Sequence, residues 1–249
     1  MSIDSSADWD GLRAVSSVVS QTLTLLARTI EPGITTRDLD AAAARFLESC
    51  GARSAPALVY GFPGTVLISV NEEVVHGVPG DRVIARGDLV SLDVTVELDG
   101  YIADAARSLV VGNGPATAHR LVSCAKEAFN AGAAVAIAGT RVSEIGRAVE
   151  ATVRRQGFSV VPGLAGHGVG RAIHEPPTVP NQFDRRQRDV LADGLVITIE
   201  PMIAAGSGQP VQEADGWTIR TRDRSLAAHY EDTVVITRGT PVILTEAAA

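Results

Sequence analysis

The sequence predicts a pseudo-symmetric α+β fold in which two helix pairs cover strands pooled into one layer. Three observations carry this. EPGITTRDLDAAAARFLESCGA (31–52) and IAGTRVSEIGRAVEATVRRQGFS (137–159) superimpose at one constant offset, pairing Gly33 with Gly139, Asp38 with Glu144, Leu39 with Ile145, Leu47 with Val153 and Gly51 with Gly157. A second helical pattern precedes each copy, and β-type sequence follows each. Two helix pairs, each followed by strands, are best satisfied by pooling the strands into one layer and laying the helices over it.

In chain order, LRAVSSVVSQTLTLLARTI (12–30) repeats apolar residues at spacings of three and four, a helical period. The segment 31–52 is a turn, an amphipathic helix and a closing glycine. TVLISVNEEVVHG (65–77) and DLVSLDVTVELDGYIADAARSLVV (88–111) are β-type. Within the second, Asp99-Gly100 is a type I′ hairpin signal that sets Leu98 opposite Tyr101 and Thr95 opposite Asp104. ATAHRLVSCAKEAFNAGAAVAI (116–137) and the segment 137–159 form the second helix pair. DGLVITIEPMI, GWTIRTRD and YEDTVVIT supply the remaining strands.

Composition bounds the rest. The chain has 249 residues, 45% hydrophobic content and a formal net charge of −7, enough to bury a substantial core. No basic stripe is available to neutralise phosphates, which argues against a nucleic-acid partner. The two cysteines, Cys50 and Cys124, lie in helical stretches and read as ordinary thiols, since two such residues make neither a disulfide framework nor a zinc ribbon. The polar, acidic start MSIDSSADWDG has no leader pattern, and no apolar run reaches the roughly 20 residues that span a bilayer. A cytoplasmic protein with no membrane partner is expected.

Carboxylates stand where apolar strand sequence does not ordinarily admit a charge. Asp93 interrupts LVSLDVTV, Glu200 ends LVITIE before Pro201, and Glu231 precedes TVVIT. In the hairpin register Asp93 and Asp104 are diagonal neighbours on one face, and two carboxylates aimed at one point repel unless a cation lies between them. With His167, in the glycine-rich GHGVG, these make one histidine and four carboxylates. That set overfills a single tetrahedral site and suits two hard or borderline divalent ions, which marks a dinuclear metallohydrolase. GHGVG lacks the later glycine and the βαβ context of a dinucleotide site, and HEPPT lacks the second histidine of a zincin helix. His119 and His229 read as hydrogen-bonded core residues.

Together SVNEEVVHGVP, GDLVSLDVTVELDGYIAD, GHGVGRAIHEPP, ITIEPM and DGWTIRTRDRSLAAHYEDT resemble the type I methionine aminopeptidases, across about residues 10 to 240. The resemblance implies the pita-bread fold shared with prolidases and creatinase, in a single catalytic domain with halves at about 10–112 and 113–240 and no extra N-terminal domain. It implies Asp93, Asp104, His167, Glu200 and Glu231 as ligands of two divalent ions (Co, Mn, Fe, Zn or Ni), with Asp104 and Glu231 bridging. His76 and His174 are then the histidines that contact the scissile region, and Glu200 the proton acceptor. Val59, Phe62, Leu67, Ile173 and Trp217 are implied as the pocket for the first side chain.

The implied activity is removal of the initiator methionine from peptides and nascent chains, with a small second residue preferred and the ribosome as one place of action for a monomeric enzyme. Two features depart from the family pattern. Leu67 and Ile173 are aliphatic where aromatic residues or cysteine are common, and His229 and Asp232 flank Glu231 where Gln and His are often found. A prolidase or X-Pro aminopeptidase would use the same ligands, though those relatives usually carry a further N-terminal domain. A non-enzymatic binding paralogue, and a methionine-class paralogue with a specialised substrate, are the other readings.

Overall fold

The computed structural model describes residues 1–246. Helix α1 (Ser6–Thr29) starts where the Ser5 hydroxyl accepts a bond from the Asp8 N–H, with Asp8 in its first turn and Arg28 in its last, both favourable to the helix dipole. Helix α2 (Thr36–Ser49) opens on a full capping box between Thr35 and Asp38. A short helix, α3 (Ala55–Tyr60), is capped by Ser54 and stopped by Gly61 at φ +70°. Helices α4 (Ala116–Val135) and α5 (Val142–Arg155) form the second pair.

The repeat seen in the sequence is present in the backbone. Helices α2 and α5 each have 14 residues, and each is preceded and followed by a glycine at positive φ: Gly33 and Gly51, Gly139 and Gly157. The bonds that anchor the two turns also correspond, Gly33 N–H to the Ile84 carbonyl and Gly139 N–H to the Leu191 carbonyl, both 2.8 Å.

Eleven strands form the main sheet, whose central path runs Arg53–Ser54, Leu89–Leu98, Tyr101–Val110, Ala227–Val235, Val196–Ile199, Ala165–Gly168, Glu175–Pro180. The pairings along this path are antiparallel. The hairpin has the expected register, Leu98 opposite Tyr101 and Thr95 opposite Asp104. Its turn residues Asp99 and Gly100 sit at φ +50° and +80°, as a type I′ turn requires.

One expectation needs correcting. The strands are not all pooled, because Glu73–Val75, Ile219–Thr221 and Pro210–Gln212 form a separate three-stranded sheet. Arg220 pairs with Glu73 across a bulge next to Ile219, and bulges turn strands out of a layer.

Helix α1 lies on the hairpin strands with α2 beside it, while α4 covers Ala227–Val235 and α5 packs on α4 and Glu175–Pro180. Under α1 the residues Val90, Leu92, Val94 and Val96 are fully buried. They alternate with Ser91, Asp93 and Thr95, which point to the opposite face. Burial of each such aliphatic side chain stabilises the fold by about 1.5–3 kcal/mol, so a one-residue slip of register, which would turn Asp93 into this core, is strongly disfavoured.

Candidate metal centre

The face of the sheet away from the helices gathers charge. Asp104 lies opposite Thr95, and Ala106 lies opposite both Asp93 and Glu231. Asp93, Asp104 and Glu231 therefore share one face. Glu200 follows directly on Val196–Ile199. Pro201 interrupts the ladder there, and pairing with Ala227–Val235 resumes at Met202–Ala204.

His167 is tied to the same strand end. Its N–H donates to the Thr198 hydroxyl at 3.0 Å, and that hydroxyl donates to Glu200 Oε1 at 2.8 Å. His167 Nδ1 lies 2.9 Å from the Gly168 carbonyl oxygen, which can only accept. The ring proton is thereby fixed on Nδ1, leaving the Nε2 lone pair facing Glu200 Oε1 at 3.4 Å.

Donor atoms of Asp104, His167 and Glu231 lie within 4.8 Å of one another, and so do those of Asp93, His229 and Glu231. His229 is fully buried at this point, with no hydrogen-bond partner for either ring nitrogen. The hydrogen-bonded core role expected of it does not hold, because the strand alternation turns it toward the carboxylates. His119 is not a core residue either, since it sits on the exposed face of α4. Asp232 faces the helix side, where it accepts from Arg107 Nη2 and the Thr245 hydroxyl, both at 2.6 Å.

Burial, then mutual repulsion, raises the acidic groups. Asp93 is pushed well above the usual carboxylate range by burial and by the charges of Asp104 and Glu200. Glu200 and Glu231 are raised in the same way, each with Asp104 as the foremost neighbouring charge. Burial pushes Asp104 up to about 6 against the pull of the Thr95 hydroxyl. The imidazoles move in the opposite direction, His167 down to about 4 and His229 to about 3, again through burial first.

Above the carboxylates is a pocket of about 100 Å³. Its apolar wall includes Phe62, Leu67, Ile173 and Trp217, with Phe62 edge-on to Trp217 at 5.2 Å between ring centres. Val59 is not part of that wall and is 52% exposed. Pro56 and Tyr60, one helical turn apart on α3, line the pocket instead. His76 and His174 also line it. Tyr60 Oη lies 2.6 Å from His174 Nδ1, and the His174 ring stands edge-on to His167 at 4.2 Å.

Residues 10–238 match the profile of metallopeptidase family M24. The chain is 40% identical to methionine aminopeptidase 2 of Bacillus subtilis over 99% of its own length and all of that protein. The chain belongs to family M24, among the methionine aminopeptidases. A methionine aminopeptidase of Thermotoga maritima superposes with a TM-score of 0.95 at 32% identity, covering 99% of this chain and all of that one. A prolidase of Pyrococcus furiosus, at 23% identity, superposes with a TM-score of 0.80 over 99% of this chain and 66% of that one, a likeness of fold alone. The fold is the pita-bread fold.

Family membership makes the chain a metal-dependent hydrolase of peptide bonds, and the residues present fit a metal. Asp93 Oδ1, Asp104 Oδ1 and Glu231 Oε1 are buried acceptors with no donor, an arrangement that is costly without a cation. Reading the sequence alone missed Thr198 and Tyr60. Hydroxyl residues are common in strands and short helices, so nothing in their local sequence marks them.

Proposed function

We propose that this chain removes the initiator methionine from nascent proteins and peptides with a small second residue, as a monomer in the cytoplasm and near the ribosome where such chains emerge. The observation that carries this reading is the convergence of Asp93, Asp104, His167, Glu200 and Glu231 beneath a small apolar pocket lined also by His76 and His174. We read residues 10–112 and 113–240 as two halves of one catalytic domain, each supplying ligands. Asp93, Asp104, His167, Glu200 and Glu231 would hold two divalent ions (Co, Mn, Fe, Zn or Ni), with Asp104 and Glu231 shared between them. Such ions supply a Lewis acid and an acidified water.

The chain's own groups do the rest. Thr198 occupies Glu200 Oε1, which leaves Oε2 to accept the proton of the attacking water and return it to the leaving amine. Burial raises the Tyr60 phenol above its ordinary pKa, and in the productive tautomer of His174 that hydroxyl donates to Nδ1, 2.6 Å away. The His174 proton then sits on Nε2, a donor for the oxygen on which negative charge develops. His76 is held at φ +61°, an uncommon value for a side-chain-bearing residue. Beside it, a Cβ on Gly77 would collide with the Ile68 carbonyl oxygen, so tight backbone packing holds His76 where it lines the pocket, within reach of the substrate peptide group. Phe62, Leu67, Ile173 and Trp217 take the unbranched methionine side chain, and the carboxylate cluster attracts the free amino terminus.

Chelator-treated protein should release no methionine from Met-Ala-Ser until a divalent metal is restored, and little from Met-Leu-Ser at any time. Cleavage of Ala-Pro-Ser instead would transfer the chain to the X-Pro class. Bound metal with no cleavage of the three peptides would leave a binding paralogue or one with a specialised substrate.

A further inference from the structure

One buried side chain at the centre has no use in the scheme above. His229 is 1% exposed and neither of its ring nitrogens has a hydrogen-bond partner. A buried nitrogen left without a partner destabilises the fold, so its retention at this place calls for a partner. Nε2 faces Glu231 Oε2 at 3.5 Å and Glu200 Oε2 at 3.9 Å, too far for hydrogen bonds of useful strength. Two donors on one ion, each about 2.1 Å from it, stand about 3.0–3.4 Å apart, close to the first of these separations. The same spacing recurs on the other side of the centre, where His167 Nε2 lies 3.4 Å from Glu200 Oε1.

Sequence accounts for the placement. His229 precedes Glu231 by two residues on one strand, so both side chains leave the same face. The donor atoms of Asp93, His229 and Glu231 lie within 4.8 Å of one another, matching the group formed by Asp104, His167 and Glu231. Each group contains one imidazole, and Glu231 belongs to both.

We propose that His229 is a metal ligand through Nε2, completing with Asp93 and Glu231 an imidazole-bearing ion site beside that of Asp104, His167 and Glu231. This rests on the two-ion reading above. With His229 as a ligand, neither ion is held by oxygen alone. A nitrogen donor moves preference from manganese toward cobalt, nickel and zinc.

The test is cobalt reconstitution of the chelator-treated full chain, counting ions by elemental analysis and imidazoles by X-ray absorption. The expected result is two ions per chain with about one imidazole each. At cobalt concentrations that fill both sites His229→Gln should halve that mean, and below them it should weaken binding of one of the two ions by at least about 100-fold, since even residues that only orient a ligand contribute 10–100-fold. His174→Ala should leave the count unchanged. About half an imidazole per ion in the wild type, no change in His229→Gln, or a loss traced to His174 would overturn the assignment. If His229→Gln does not fold, the wild-type count decides alone. The ion count tests the two-ion reading separately. Were only one ion to bind, loss of its imidazole in His229→Gln would keep His229 as a ligand, and an imidazole retained in that variant would remove it.

Discussion

Protons and metal ions compete for the same oxygens at this centre. Asp93, Glu200 and Glu231 are held well above the carboxylate range and Asp104 at about 6, so the metal-free protein keeps protons there that an incoming cation must displace. Titration calorimetry in buffers of different ionisation enthalpy should show release of at least about one proton per chain at pH 6, with affinity rising as pH rises through these values. Binding without proton release would mean that the carboxyls are already ionised. His174→Ala is expected to lower kcat by about two to three orders of magnitude, the scale of a lost oxyanion donor, with metal content unchanged. Asp104→Asn is expected to abolish turnover and reduce metal content, and a fully active, metal-replete variant would remove Asp104 from the bridging role. At this scale the carboxylates were legible because a charge inside an apolar strand needs a partner. Tyr60 was not, and Val59 was misplaced, because which face of a six-residue helix meets the pocket depends on packing rather than on period.

Helices α2 and α5 are copies with different caps. Thr35 and Asp38 close a capping box on α2, whereas Arg141 stands at the N-cap of α5 without a side-chain bond, although Glu144 occupies the position of Asp38. Arg141→Thr should complete the missing box and raise stability by about 0.5–1 kcal/mol, read as a higher denaturation midpoint in urea with unchanged activity. No shift, with the new hydroxyl unbonded, would show that the turn before α5 holds a different geometry. The hairpin was readable to the residue because Asp99-Gly100 fixes turn type, turn type fixes register, and register places Asp104 beside Thr95. The separate sheet of Glu73–Val75, Pro210–Gln212 and Ile219–Thr221 was not readable, since short strands with a bulge carry no signal of which layer they join.

Across the whole molecule, the centre lies between strands covered by α1 and a strand covered by α4. Asp93 and Asp104 come from the hairpin under α1, and Glu231 from the strand covered by α4. A cation held by all three would tie the hairpin under α1 to the strand under α4. At one hundred times its dissociation constant a bound metal should add about 2.7 kcal/mol and raise Tm by roughly 5–10 °C, measured by calorimetry with and without chelator. Equal Tm values in both conditions would argue against metal binding at the seam. The repeat was legible in the spacing of its glycines and helix residues, but how much of the sheet each helix pair covers was not, because that follows from side-chain volumes summed over long distances.

The volume of the pocket also sets terms for anyone wishing to block it. A space of about 100 Å³ is well below the roughly 300–1,000 Å³ of pockets that hold drug-sized ligands. Even the most efficient small ligands gain no more than about 1.5 kcal/mol per non-hydrogen atom. Filling this pocket alone therefore yields modest potency whatever the chemotype. A tight inhibitor must also grip the metal centre, or grow outward over Leu58, Val59 and Tyr60, which are each about half exposed along α3. Selectivity between related enzymes would be won on that outer ledge rather than in the pocket.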